Sequence, residues 1–154
     1  MNVTLQPADL ADAELLWEMQ KESFCSTYET YRDEDTTPYL EPLERTQMRL
    51  REPITSYYVI RADGIPVGGI RVRDQGRQAP KVLGPVYVLP EHRGKGIAQQ
   101  AIRLVEEIHG SKNWLLDTIM QEKGNCRLYE KMGYRYVGIS KVVNERMTLV
   151  YYKK

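Results

Sequence analysis

Apolar positions along this chain fall into two rhythms, one of about two residues and one of about 3.6, and their succession predicts the elements. Val3 to Gln6 reads as a short opening strand. From Pro7 to about Tyr28, the residues Leu10, Ala13, Leu16, Trp17 and Phe24 recur at helical spacing and predict a first helix with Trp17 in the core. Residues 29–45 are hydrophilic and turn-rich, with Pro38 and Pro42 as breakers, and a second helix follows over Leu43 to Arg51. Tyr57-Tyr58-Val59-Ile60, the turn Ala62-Asp63-Gly64 and Val67 to Arg73 predict a hairpin, and Lys81 to Leu89 another strand. Gly96 to His109 is a long helix with Ile97, Ala101, Ile102, Leu104, Val105 and Ile108 on one broad face. Asn113 to Thr118 reads as a buried strand holding Trp114. Asn125 to Met132 is a short helix that Gly133 can cap. Tyr134 to Val143 and Met147 to Tyr152 form a second hairpin, its Tyr151-Tyr152 strand a candidate edge for a homodimer.

Strands in series pair antiparallel, whereas the strand–helix–strand unit at 81–118 demands a right-handed parallel crossover. The expected fold is therefore a mixed α+β domain over residues 1–154, with a mostly antiparallel sheet of about seven strands flanked by helices. The length of 154 residues suits one such domain. Charge is balanced, 22 Lys and Arg against 21 Asp and Glu, which argues against a nucleic-acid or membrane-surface partner. No apolar run is long enough to span a membrane. The N-terminus carries Asp9, Asp12, Glu14 and Glu18 and lacks an apolar signal core, so the sequon Asn2-Val3-Thr4 is set aside. Cys25 and Cys126 stand alone, and a reducing, cytoplasmic setting is expected. His92 and His109 have no metal-ligand spacing to any partner, so no metal is expected.

One stretch carries chemistry: Val86-Tyr87-Val88-Leu89-Pro90-Glu91-His92-Arg93-Gly94-Lys95-Gly96-Ile97-Ala98. A strand ends, a glycine-bearing turn follows, and a helix begins. Such a turn directs unpaired N–H groups toward a concave spot at the positive end of the helix dipole. Phosphate oxygens bind there, and Gly94 and Gly96 permit their close approach while Arg93 and Lys95 add charge. Neither phosphate-binding pattern with a fixed spacing fits: Ile97 follows Gly96 where the Walker pattern needs Lys-Ser/Thr, and Gln99 stands where the dinucleotide pattern needs a small residue. A turn built only for geometry remains the alternative.

Arg93-Gly94-Lys95-Gly96-Ile97-Ala98 resembles the Arg/Gln-x-x-Gly-x-Gly/Ala signature of the GNAT superfamily of acyl-CoA-dependent N-acetyltransferases. Asn125-Cys126-Arg127-Leu128-Tyr129-Glu130-Lys131-Met132-Gly133-Tyr134 is similar to its second signature in a shortened spacing, and the element order agrees over nearly the whole chain. The resemblance implies acetyl-CoA as co-substrate, with the amides of 93–98 on its pyrophosphate. It implies a parallel strand pair that splays, so that Val86, Tyr87 and Val88 offer their backbone to the pantetheine arm. It implies Asn125 on the pantetheine and Tyr129 at the sulfur. Independently of the family, Asn125 and Tyr129 are four apart on a helix and share a face, with Leu128 and Met132 on another.

The implied reaction is direct acyl transfer from a thioester to a primary amine of a small molecule. An alkylamine of pKa about 10.4 is neutral in only roughly one molecule in a few thousand at pH 7, so a base or a desolvating site must supply it. Tyr129 is the candidate acid for the leaving thiolate, and the Val88 amide the candidate donor to the carbonyl oxygen. Relatives place a glutamate before the pantetheine-binding stretch, where this chain has Leu83-Gly84-Pro85. Base candidates are then Glu22, Glu29 and Asp33, with transfer through a water chain as the alternative. That missing carboxylate also keeps a non-catalytic acyl-CoA-binding sensor in view. Residues 29–45 hold six acids and two bases, a net charge of −4, and relatives use this segment for the acceptor. An acidic rim there would steer a cationic amine, with Tyr28, Tyr31 and Tyr39 walling its pocket, though a solvated loop would look the same.

Overall fold

The computed structural model describes all of residues 1–154. Strand β1 (Val3–Pro7) leads through a tight turn at Leu10–Asp12 into α1 (Ala13–Tyr31), followed by α2 (Leu43–Arg51). Then come β2 (Thr55–Ala62), β3 (Ile65–Arg73), β4 (Lys81–Val88), α3 (Ile97–His109), β5 (Trp114–Ile119), α4 (Lys123–Lys131), β6 (Arg135–Asn144) and β7 (Met147–Lys153). One seven-stranded sheet has the order β1-β2-β3-β4-β5-β7-β6, antiparallel throughout except for β4 beside β5. The expected α+β architecture and its single parallel pair are therefore present.

Alternation along the strands sends apolar side chains to both faces of the sheet. Ile60, Ile70, Val72, Leu83, Val88, Leu116 and Val150 meet Ile97, Ala101, Ile102 and Val105 of α3 in the larger core. Tyr57, Val59, Tyr87 and Leu89 meet Leu16 and Met19 of α1 in the smaller one. The Tyr57 and Tyr87 hydroxyls lie 2.8 Å apart in that layer, and Tyr87 also donates to the Leu16 carbonyl at 3.1 Å, which satisfies two buried phenols.

Three expectations need correction. The first helix does not start at Pro7: the Asp9 carboxylate accepts the Ala11 amide at 2.9 Å and caps a separate turn, and α1 then runs on to Tyr31, where Arg32 adopts a left-handed conformation. Trp17 is not core; its indole N–H donates to the Glu41 carbonyl at 2.8 Å and clasps the loop after α1. The Tyr151-Tyr152 strand is not an edge, because β7 lies between β5 and β6, and β6 is the outer strand.

Candidate active site

The site begins where the parallel pair stops pairing. Lys81 and Val82 of β4 face Trp114 and Leu115 of β5, and beyond them the two strands part. A bulge drives the parting: between the pairs Ile70–Val86 and Val72–Leu83, β4 carries two residues, Gly84 and Pro85, opposite the single residue Arg71 of β3. Bulges bend the strand that bears them. The Leu89 amide donates to the Val67 carbonyl at 2.8 Å, so strand alternation turns the Val86 and Val88 amides away from β3 and into the split. Tyr87, by the same alternation, pairs with Gly69 and has its ring in the α1 layer, so its backbone does not face the split as expected.

At the end of β4 the chain makes the turn that the sequence points to. Gly94 and Gly96 both have φ of 77°, a conformation that side chains resist, and a Cβ at either would meet no other atom within 4 Å. Their bareness leaves open space in front of the turn. The Gln100 amide is bonded to the Gly96 carbonyl at 3.1 Å, so the Ile97, Ala98 and Gln99 amides ahead of it have no partner within the helix. The Ile97 side chain is buried in the larger core, and Ala98 packs against that core, which orients the turn. Arg93 departs from its expected role. Its guanidinium donates to the Val88 carbonyl at 3.0 Å and to the Ser23 carbonyl at 2.6 Å, clasping the turn to β4 and α1. Lys95 is exposed and free to meet an anion.

A cavity of about 530 Å³ occupies the split and the space beneath the end of α1. Tyr28, Tyr31 and Asp33 line it, as do Val86, Asn125 and Tyr129; Glu22 and Glu29 do not. Four carboxylates reach this cavity, and three are committed elsewhere. Asp33 accepts the amides of Asp35 and Thr36 and the Thr36 hydroxyl. Glu41 forms a two-pronged ion pair with Arg49, both contacts at 2.8 Å. Glu122 accepts the Tyr31 hydroxyl at 2.6 Å, and burial together with that carboxylate pushes the Tyr31 phenol up to about 12.

The fourth is Asp117 of β5, which the sequence pattern alone did not single out. Desolvation raises its pKa and the charge of Lys141 pulls it back. Asp117 lines the cavity and keeps a solvent-exposed side, while the protein around its carboxyl is enough to raise the pKa. A lone carboxylate in the otherwise apolar strand Trp114-Leu115-Leu116-Asp117 was the signal available. Tyr129 stands nearby on α4. Burial, then the charge of Asp117, then Cys126 push its phenol up to about 12, and its hydroxyl faces the cavity.

Arg71 and Arg73 complete the lining from β3. Arg-Val-Arg reads as an ordinary solvated alternation in sequence; only the sheet order shows that both arginines face this split. In the acidic segment only Glu41 is offset by a cation, Arg49; Asp33 and Glu34 accept neutral donors, Glu34 the Tyr28 hydroxyl at 3.0 Å, and keep their charge.

A family model, described as the acetyltransferase (GNAT) family, matches residues 14–134. The chain belongs to the GNAT family of acetyltransferases. Solved structures agree on the GNAT fold. An acetyltransferase from Thermus thermophilus superposes at a TM-score of 0.75 with 19% identity, covering 100% of this chain and 97% of that one. The PaiA N-acetyltransferase from Thermoplasma acidophilum, solved in complex with coenzyme A, gives 0.74 and 18%, covering 100% of each chain. A spermidine N-acetyltransferase from Vibrio cholerae, solved with CoA and spermine, gives 0.76 and 16%, over 97% of this chain and 93% of that one. No curated protein matches the sequence.

Proposed function

We propose that this GNAT-family chain transfers an acetyl group from acetyl-CoA to a primary amine of a small-molecule acceptor, by direct attack on the thioester. One observation carries the reading: Asp117, the one cavity carboxylate without a hydrogen-bonded or ion-paired partner, and the phenol of Tyr129 share the split between β4 and β5. CoA fits the chain beside it. The bare glycine turn and the unpartnered amides of 97–99 suit a pyrophosphate, and Lys95 adds charge. The outward amides of Val86 and Val88 suit an extended amide-bearing arm, as an added strand would. Asn125, exposed at the cavity wall, offers that arm a side-chain amide.

When bound, acetyl-CoA supplies an activated acetyl group. Asp117 takes a proton from the acceptor's ammonium, so that the neutral amine attacks. A carboxylate whose pKa burial has raised is a stronger base for that task. The Val88 amide donates to the carbonyl oxygen as negative charge gathers there. Tyr129, neutral at every physiological pH because its pKa is about 12, gives its proton to the sulfur as the C–S bond breaks, and the second proton shed by the attacking nitrogen restores the phenol. Asp117 fills the role for which Glu22, Glu29, Asp33 and a water chain were the candidates, and with it goes the main argument for a non-catalytic sensor. The surface that suits a homodimer is the β6 edge, where Tyr136, Ile139 and Val142 are exposed. No helix is long and apolar enough to cross a membrane, which is compatible with a cytoplasmic enzyme.

Acetyl-CoA at about a hundredfold excess over its dissociation constant adds roughly 2.7 kcal/mol, and at about 2–4 °C per kcal/mol the melting point rises by about 5–11 °C. Thermal melts with acetyl-CoA, followed by turnover over a panel of amines, test the reading. No shift at saturation removes the transferase; a shift without turnover of any amine restores the sensor.

A further inference from the structure

The cavity lining carries four carboxylates and four cations, but they are not all paired with one another. Among its lining residues, Glu41 and Arg49 neutralise each other at 2.8 Å, while Asp33 and Glu122 are occupied by hydroxyl and amide donors. Arg71 and Arg73 have no carboxylate partner. Arg71 donates its Nε–H to the Gly84 carbonyl at 2.7 Å, which fixes the guanidinium plane and leaves its two terminal nitrogens for the cavity. Arg73 has an Nε that is buried and hydrogen-bonded to nothing. Burial, then the charge of Arg49 and less so of Arg73, lowers Arg71 to about 10, against an opposing pull from Tyr57 and Glu52. Neither arginine is ion-paired, and a part-buried guanidinium with unpartnered N–H groups carries a desolvation cost that a bound oxyanion relieves.

From these observations, and resting on the transferase reading above, we infer that the acceptor bears an oxyanion as well as its amine, and that Arg71 and Arg73 bind that oxyanion while Asp117 receives the amine. The register supports the span. Arg73 lies beside Val82 and Val82 beside Leu115, so Arg71 and Asp117, each two residues farther toward the split, flank β4 at the same level. Two inter-strand spacings separate their backbones, roughly 10 Å before the splay widens the gap, and the side chains close much of it. A compact amino acid fits between them, its carboxylate on the planar forks and its amine on Asp117. The acceptor then carries an anionic group beside the cationic amine that the acidic segment was expected to steer, and a lining with both signs of charge suits both ends.

Matched acceptor pairs test this: ornithine against putrescine, lysine against cadaverine, phenylalanine against phenethylamine, with O-phosphoethanolamine against ethanolamine as the phosphate arm. The carboxylate-bearing members should show kcat/KM on the order of 10- to 100-fold higher, the size of a charge-assisted pair lost. In Arg71→Gln and Arg73→Gln that ratio should fall to within a few-fold of one, and Arg71→Lys should restore it only in part because the fork is gone. Binding of the N-acetylated acids to the chain without CoA, read by calorimetry, should disappear in the same variants. Equal turnover within the pairs, or better turnover of the bare amines, overturns the inference while leaving the transferase intact. A preference of about tenfold or more for the phosphate arm over the carboxylates overturns the amino-acid assignment. Arg71-dependent binding of the acids without any acetyl-CoA melting shift would instead sink the transferase and keep the anion subsite.

Discussion

Burial first, then the charge of Asp117, raises the Tyr129 hydroxyl to a pKa of about 12, so this phenol of the split stays protonated at physiological pH. In the proposed reaction Asp117 and Tyr129 have opposite duties set by one environment: the carboxylate accepts a proton on the acceptor side, and the phenol holds one for the sulfur side.

Tyr129→Phe removes the hydroxyl and nothing else. That hydroxyl has no partner in the protein, so packing against the larger core should survive. Turnover should fall on the order of a hundredfold, the worth of a positioned acid, while the acetyl-CoA melting shift persists. Steady-state kinetics beside thermal melts check this. Unchanged turnover would make Tyr129 a packing residue and let the thiolate leave unaided.

Asp117→Asn separates the base from a structural carboxylate. Its folded-state pKa is raised, so the group stabilises the fold below its unfolded value, near the ordinary carboxylate range, and that stability is lost as pH rises through the folded value. At neutral pH the ionised carboxylate is therefore a burden, and the Asn variant should melt no lower than the parent. Its kcat/KM should nevertheless drop about a hundredfold at pH 7. Activity should then climb about tenfold per pH unit toward roughly 10, as the free amine appears without help. A flat pH profile, or a variant that melts well below the parent, would assign Asp117 to the scaffold.

Most of the architecture was legible because periodicity and turn residues report on local backbone. Leu43 to Arg51 matches its helix to the residue, and the pairing of consecutive strands follows from short connections. The glycine turn was legible for the same reason, since Gly94 and Gly96 sit where a left-handed backbone is needed. Asp117, Arg71 and Arg73 were not, because each is brought to the cavity by sheet order. β5 neighbours β4 only through the crossover, and Arg71 and Arg73 alternate with the core residues Ile70 and Val72 on β3, the strand on the other side of β4. A charge count over the loop misses a neighbour for a related reason: Arg49, which lies on α2 just beyond residues 29–45, reaches back to Glu41 and offsets one of the six acids.

Gly94→Ala tests the phosphate turn against a matched control. Gly64 in the β2–β3 turn has φ of 83°, Gly94 has 77°, and a Cβ meets nothing within 4 Å at either. Both substitutions should cost about 1–2 kcal/mol for forcing a side chain into the left-handed region. Only Gly94→Ala, and more so Gly94→Val, should shrink the acetyl-CoA melting shift. Equal shifts in the Gly64 and Gly94 variants would take the pyrophosphate away from this turn.

Arg93 should act on the cofactor through the turn's shape and not through its charge. Its guanidinium is bound to the Val88 and Ser23 carbonyls, at 3.0 and 2.6 Å, and so ties together the end of β4, the turn and α1. Lys95, which has no such ties, offers charge alone. Lys95→Ala should weaken acetyl-CoA binding modestly at low ionic strength, and the difference from the parent should shrink as salt rises, because exposed charges are screened over about 8–10 Å. Arg93→Met should weaken binding by a factor that salt does not remove. It should lower the melting point of the unliganded chain as well, since two carbonyls lose charge-assisted donors worth about 1.5–3 kcal/mol each. Calorimetric titration of acetyl-CoA at about 50 and about 300 mM salt, on the order of a twofold change in screening length, distinguishes the two. If the Arg93→Met defect fades with salt as the Lys95→Ala defect does, Arg93 meets the phosphates directly and the clasp is secondary.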